Sequence, residues 1–452
     1  MIEYKFMMKI MMMMIMLNLN ILFINIKMLM YIMSLEIMVI SMFFMFSMNY
    51  SNNWMLIYSW MGIDSISFIL TLLTMWIISL MFLISFKMMN KKIYSMVLLI
   101  LLISLILSFM TLNYFMFYLF FEISLLPTML LIMGWGYQPE RINASMYMLM
   151  YTMFASLPML IIMFYLFNMN KSMNYLIILN KYIKFEFLSN LMYLYMILAF
   201  LVKLPMFMLH MWLPKAHVEA PITGSMILAG IMLKLGGYGI ARSMMMMMNY
   251  SKMFNYFFMM ISLIGMVIMS LVCLRQFDMK LIVAYSSVVH MGMMLFGIMS
   301  MMYYGFMGGV IMMIAHGLCS SAMFILVNLL YERSKSRNMY MNKGMIIIMP
   351  VLSMWWFMFC ACNMSSPISL NLLSELMIII ISLNWSINII MVLCMGMYIS
   401  AMYSLYLFSY SQHGKLNNLV MKFNNNNLND YMILILHWIP LNLLILKLDL
   451  FM

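Results

Sequence analysis

Six ionisable residues stand inside long apolar runs of this chain: Glu122, Lys203, Lys234, His290, His316 and Glu375. Carboxylates, amines and imidazoles each bind and release a proton. A charge at the centre of a bilayer costs about 2.5–3.5 kcal/mol even on the milder insertion scales, so such residues face the bundle interior or water and mark ion paths. Lysine can give up its proton when it loses a partner, whereas arginine stays charged. The six fall on six separate runs, which a single cofactor site would not need but a relay would. The chemistry they point to is proton transfer.

Each residue has a telling neighbourhood. Lys203 is followed at once by Leu204-Pro205, so its helix must kink or break there. Broken helices beside buried charge are how transporters build sites near the midplane. Lys234 shares a face with Gly230 and Gly237, which let another helix approach and keep the lysine from lipid. A snorkelling lysine would sit near a helix end and need no such cover. Glu122 lies in a polar stripe with Tyr114 and Tyr118, with Pro127 about one turn beyond. The plain alternative for Glu122 is an ion pair that only holds helices together. His290 follows Ser286 and Ser287, and His316 precedes Cys319 and Ser320, each at helical spacing. Two histidines at similar depth suit proton relay, although a lone buried histidine is often just a satisfied core residue. Glu375 shares a face with Asn371 and Ser382 in a run interrupted by Pro367, echoing the layout at Lys203. His210, His217 and Glu219 lie among prolines and lack the H-E-x-x-H spacing of a metal helix. A place at the mouth of a proton path, or loop structure, fits them better.

The elements that must position these groups are membrane spans. The 452 residues are 67% hydrophobic and 8% charged, against roughly 25% charged in soluble domains. Apolar runs of about 18 or more residues predict an all-α polytopic protein with about 14 transmembrane helices. Their centres lie near residues 16, 39, 75, 102, 124, 156, 201, 232, 263, 290, 317, 354 (continuing to 382 through a break), 398 and 439. On that threading the loops hold eight Lys or Arg on the side of the termini and fourteen on the other. The basic side, with Lys87, Lys91, Lys92, Arg333, Lys335, Arg337 and Lys343, is the cytosol-equivalent face. The polar stretches 168–190 and 417–430 read as connectors.

Composition also excludes function classes. The net charge of +12 is scattered through short loops and acts as a topology signal, with no nucleic-acid patch. The five cysteines, Cys273, Cys319, Cys360, Cys362 and Cys394, form no C-x-x-C and support no disulfide framework, zinc site or iron–sulfur cluster. Methionine, 77 residues, stands where Leu or Ile would serve and reads as flexible apolar filler from a biased code, not as a copper site. No G-x-G-x-x-G or Walker A sequence occurs, so nucleotide and flavin binding are unsupported. The N-terminal MIEYKFMMKIMMMM carries Glu3 and no Arg, unlike a transit peptide.

The segments LVKLPMFMLHMWLPKAHVEAPITGSMILAG, LKLGGYG, RQFDMKLIVAYSSVVHMG, MIAHGLCSSAMF and LNLLSEL resemble the chain 4 family of mitochondrial NADH:ubiquinone oxidoreductase, respiratory complex I. The likeness runs from about residue 110 to 410, and the methionine richness is similar to insect versions. It implies an antiporter-like, proton-translocating subunit of the membrane arm with two inverted five-helix repeats, each with a Pro-broken helix. The division would be N-terminal helices 1–90, a first repeat 91–243, a second 250–412, and a C-terminal loop and last helix 413–452. It implies that Glu122 pairs with Lys203 at one half-channel. Lys234, His290 and His316 would carry protons laterally, and Glu375 would serve the second half-channel. FMN, iron–sulfur clusters and ubiquinone would belong to other subunits, with no cofactor in this chain. Partners would be other membrane-arm subunits, chains 2 and 5 above all, and lipid including cardiolipin, in the mitochondrial inner membrane. A subunit of a cation/proton antiporter without a redox arm shares these motifs and is the alternative.

Overall fold

The computed structural model describes residues 2–23, 25, 28–47, 54–58, 60–179, 189–416 and 427–450. Parts of the two polar connectors, 180–188 and 417–426, lie outside the described residues. The chain begins with α1 (Ile2–Phe23) and α2 (Leu29–Ser47), then a short antiparallel hairpin of β1 (Met55–Tyr58) and β2 (Met61–Ile63). There follow α3 (Ser65–Ile84), α4 (Lys91–Met110), α5 (Tyr114–Ile123), α6 (Leu125–Trp135), α7 (Arg141–Asn170) and α8 (Tyr175–Leu179). Next come α9 (Ser189–Lys203), α10 (Trp212–Glu219), α11 (Ile222–Ile227), a π-helical turn (Leu228–Met232) and α12 (Leu233–Met246). The remainder is α13 (Met248–Arg275), α14 (Met279–Met299), α15 (Tyr303–Ser334), α16 (Met345–Ile348), α17 (Pro350–Asn363), α18 (Leu370–Trp385), α19 (Ile387–Gln412) and α20 (Leu428–Leu443).

Among the described residues eleven helical stretches are long and apolar enough to cross a membrane, and the shorter apolar helices are Met12–Ile21, Asn190–Lys203 and Leu370–Trp385. Every expected span centre falls on one of these or on the α17–α18 pair. The all-α expectation holds apart from the small hairpin. The connectors sort into two faces. On one, Lys87 pairs with Glu332 at 2.8 Å, Arg333 with Asp430 at 3.5 Å, and the Trp135 indole donates to the Met89 carbonyl. On the other, Thr111 bridges Met61, and Asn113 bridges Asn174. Contacts between successive connectors of one parity are what alternate crossing of a bilayer requires.

Two of the crossings are broken, and proline explains both. Pro205 has no N–H, so α9 stops at Lys203 and the Met206 amide bonds back to Leu201. The indole of Trp212 donates to the Val202 carbonyl at 2.9 Å. Before Pro367, α17 stops at Asn363, and Asn371 on α18 donates its amide to the Cys362 carbonyl at 2.7 Å. In each break a side chain nine or ten residues further on fills a gap in the backbone ladder. Each turn also holds non-glycine residues at positive φ: Met208 at 79° in the first, Ser365 at 60° and Ile368 at 67° in the second.

Small residues set the helix spacing at the centre. A Cβ on Gly236 would lie 2.8 Å from Leu204 Cγ and 3.1 Å from the Phe200 carbonyl, so only glycine lets α12 nest against the end of α9. A Cβ on Gly237 would lie 2.6 Å from Met313 Sδ on α15. Replacing Trp212 by Phe leaves the buried Val202 carbonyl without its donor, at an expected cost of about 1–3 kcal/mol. The thermal inactivation midpoint of the purified assembly should fall; an unchanged midpoint means the carbonyl has another donor.

Candidate functional site

The centre of the site is Lys234, which is fully buried one residue after the start of α12. The preceding π-helical turn presents the Ala229 carbonyl to Lys234 Nζ at 2.5 Å. Such turns recur at functional sites. The same Nζ lies 3.0 Å from His316 Nδ1 on α15. This contact works in either direction, with an ammonium donating to a neutral imidazole or an imidazolium donating to an amine. The approach is possible because Gly230 and Gly317 face each other: a Cβ on Gly317 would lie 3.1 Å from the Gly230 carbonyl and 3.4 Å from Lys234 Cε.

From His316 the row continues to His290 on α14, with ring centroids 5.7 Å apart. His316 Nε2 and His290 Nδ1 have no protein hydrogen-bond partner, although both rings are buried. Ser286 and Ser287 turn their hydroxyls back onto the helix carbonyls of Val283 and Ala284. Ser320 likewise donates to the His316 carbonyl. The polar faces expected from spacing are therefore present, but their hydroxyls are engaged by the backbone.

Lys203 and Glu122 lie on adjoining helices and act on each other electrostatically, yet they form no ion pair within 4 Å. Lys203 Nζ instead sits 3.4 Å above the ring centroid of Phe121 and donates to the Phe121 carbonyl at 3.4 Å. Both carboxylate oxygens of Glu122 are buried without a partner at hydrogen-bond distance, and Ser156 is the polar side chain that acts on them. Pro127 cannot donate to Ile123, and the helical hydrogen-bond ladder is interrupted just after Glu122, at Ser124, which keeps right-handed helical backbone angles. At the other end Glu375 is 4% exposed. Ser365, held at positive φ in the helix break, acts on its carboxyl group as a polar neighbour, while Oε1 is left without a partner.

The structure thus joins Lys234 to His316 by direct contact and sets the His290 ring beside them without a hydrogen bond to either, while Glu122, Lys203 and Glu375 form no hydrogen bond or ion pair with this row among the described residues. It also adds Lys280, Arg242 and His437, which spacing did not single out, and gives His217 a definite place. Lys280, at the start of α14, is buried and donates to the Val218 and Ala220 carbonyls at 3.1 and 2.7 Å. His217 stacks on Phe324 with centroids 4.7 Å apart, and neither ring nitrogen has a partner. Lys234 and Lys280 both act on it, so it stands between the central row and the face carrying Lys280. Arg242, two turns beyond Lys234, pairs with Asp64 at 2.5 Å, both nearly buried, under Trp54 and Tyr238. His437 on α20 bonds its own Ile433 carbonyl at 2.8 Å through Nδ1, while its buried Nε2 has no partner. The signal available for Lys280 and Arg242 was their position at the edges of apolar runs. Among the described residues no group of three or more His, Cys, Asp and Glu could hold a metal ion, and the five cysteines are free.

Residues 111–400 match the family described as NADH:quinone oxidoreductase/Mrp antiporter, transmembrane. Residues 7–110 match NADH-ubiquinone oxidoreductase chain 4, amino terminus. The chain is 49% identical to NADH-ubiquinone oxidoreductase chain 4 of Ceratitis capitata, over 90% of this chain and 91% of that one. It is 53% identical to that of Aedes aegypti over 73% of each. Its fold superposes on a chain of respiratory complex I from Thermus thermophilus with a TM-score of 0.86 and 20% identity, covering 96% and 94% of the two chains.

The two faces of the site separate two kinds of charge pair. Asp64→Asn leaves Arg242 buried without its counter-ion and should cost about 3–5 kcal/mol. Lys87→Ala removes a lysine that is 74% exposed in its pair with Glu332 and should cost less than about 1 kcal/mol. Thermal stability of the assembled protein checks both, and equal losses would contradict the assignment of Asp64–Arg242 as the structural anchor.

Proposed function

The chain belongs to the family of NADH-ubiquinone oxidoreductase chain 4, and we propose that it moves protons across the membrane through Glu122, Lys203, Lys234, His316, His290 and Glu375. It serves as a proton-translocating subunit of the membrane arm of that oxidoreductase. The redox steps, from NADH to ubiquinone with their flavin and iron–sulfur groups, belong to other subunits, and this chain is driven from a distance. The observation that carries the reading is the Lys234–His316 contact at 3.0 Å with His290 next in line. It gives a buried base, a shared hydrogen bond and an onward acceptor in one row.

The rest of the path follows from the ends of that row. Glu122 and Lys203 form the switch of the first half-channel. Lys203 can hold its proton while the Glu122 carboxylate is charged, and can release it to the central row when that charge is lost. His217 and Lys280 open a branch from the centre to the basic face, from which the proton is taken up. Glu375, next to the second helix break, serves the outlet. We read the chain as two inverted units, 91–243 and 250–412, and the presence of one broken helix in each supports that reading. The basic face is the mitochondrial matrix side of the inner membrane, and chains 2 and 5 flank the subunit, with cardiolipin among the surrounding lipids.

The test is proton pumping per NADH oxidised by the intact complex in vesicles. Glu122→Ala, Lys203→Ala and Glu375→Gln should each lower that ratio while leaving assembly largely intact. Wild-type ratios in all three would refute the relay. A redox-free cation/proton antiporter is the competing reading, since the family description spans both. Co-purification with flavin and iron–sulfur subunits supports the oxidoreductase; purification without them supports the antiporter.

A further inference from the structure

The row of six has a gap between His290 and Glu375. They lie on α14 and α18, and no hydrogen bond links them among the described residues. The side chain placed to fill it is Tyr403 on α19, which is 1% exposed. Its hydroxyl lies 3.4 Å from His290 Nε2. The hydroxyl makes no direct hydrogen bond to Glu375, which acts on it electrostatically from the neighbouring α18, so an onward step crosses a short gap. The other His290 nitrogen, Nδ1, has no protein partner, and Asn363 at the end of α17 also acts on the ring. α19 packs against both α14 and α18. Gly396, two turns before Tyr403 on α19, fits beneath Met266 of α13.

We propose that Tyr403 is the missing relay residue, and that the proton reaching His290 passes through its hydroxyl to Glu375. This rests on the relay reading above. A proton arrives at His290 Nδ1 from the His316 side. The Nε2–H bond then breaks as a new O–H bond forms on Tyr403, while the original O–H proton goes to the Glu375 carboxylate. One proton enters and one leaves, so the phenol ends neutral and needs no ionisation. Rotation of the hydroxyl about its C–O bond resets the phenol, and a flip of the His290 ring returns its N–H to the Tyr403 side and frees the other nitrogen for the next proton. A phenol suits this position because it is both donor and acceptor on a rigid ring, so it can bridge two helices without a flexible arm.

The test uses the intact complex in vesicles, with Tyr403→Phe removing only the hydroxyl. Protons pumped per NADH should fall by the same fraction as in Glu375→Gln, and the double variant should lose no more than either, as expected for residues acting as a unit. Tyr403→His, which restores a group able to accept and donate, should recover part of the loss. Wild-type pumping in Tyr403→Phe together with a loss in Glu375→Gln overturns the Tyr403 step and leaves the relay standing. Wild-type pumping in both overturns the relay itself. Infrared difference spectra of the unmodified complex during turnover give an arm independent of assembly. A tyrosine band should shift together with the Glu375 carboxyl band and vanish in Glu375→Gln; a tyrosine band that never moves overturns the step.

Discussion

A positive charge inside a bundle survives only where the bundle itself supplies acceptors, and that requirement governs the helices around the two central lysines. At Lys234 the acceptors are the Ala229 carbonyl, at a wider-than-α turn, and an imidazole nitrogen. At Lys203 they are the Phe121 carbonyl and the face of the Phe121 ring. Neither lysine is locked to a carboxylate at contact distance. A tight buried ion pair would hold the proton too firmly to be passed on. Weaker, shared acceptors keep the amine solvated while leaving its proton transferable.

The two helix breaks obey the same economy. Each proline removes a backbone donor, and each gap in the ladder is covered by a side chain downstream, Trp212 in one case and Asn371 in the other. The breaks are thus satisfied structures and not frayed ends. They bring Lys203 and Glu375 to the edges of short helices, where neighbouring groups differ from those of a continuous rod. Ser365, held in the left-handed region within the second break, is the polar neighbour that acts on the Glu375 carboxyl group.

Much of this was legible in the residues themselves. The span centres follow from hydropathy because uninterrupted apolar runs have few other uses, and the central charges stand out against them. Gly230 and Gly237 announced a close helix contact, and the structure adds Gly317 as the opposing partner. What spacing did not show were relations between distant segments. Lys280 reads as a loop lysine until the α10 carbonyls, some sixty residues earlier, are seen around it. Asp64 and Arg242 are 178 positions apart, and no local pattern ties them. Tyr403 is one of 28 tyrosines in the chain, and only the position of His290 distinguishes it. The direct pairing of Glu122 with Lys203 was expected, and the two are instead electrostatic neighbours with the Phe121 ring under the ammonium.

The Asp64–Arg242 pair has a mechanical meaning. It fastens the far end of α12 to the first turn of α3, two helical turns from Lys234. Trp54 and Tyr238 lie within 4.7 Å of the guanidinium. A helix pinned in this way cannot slide along its axis without stripping a charge of its counter-ion in an apolar interior. The segment bearing the central lysine is therefore a fixed post, and the motion left to it during turnover is that of the lysine's own side chain and its bonded hydrogens.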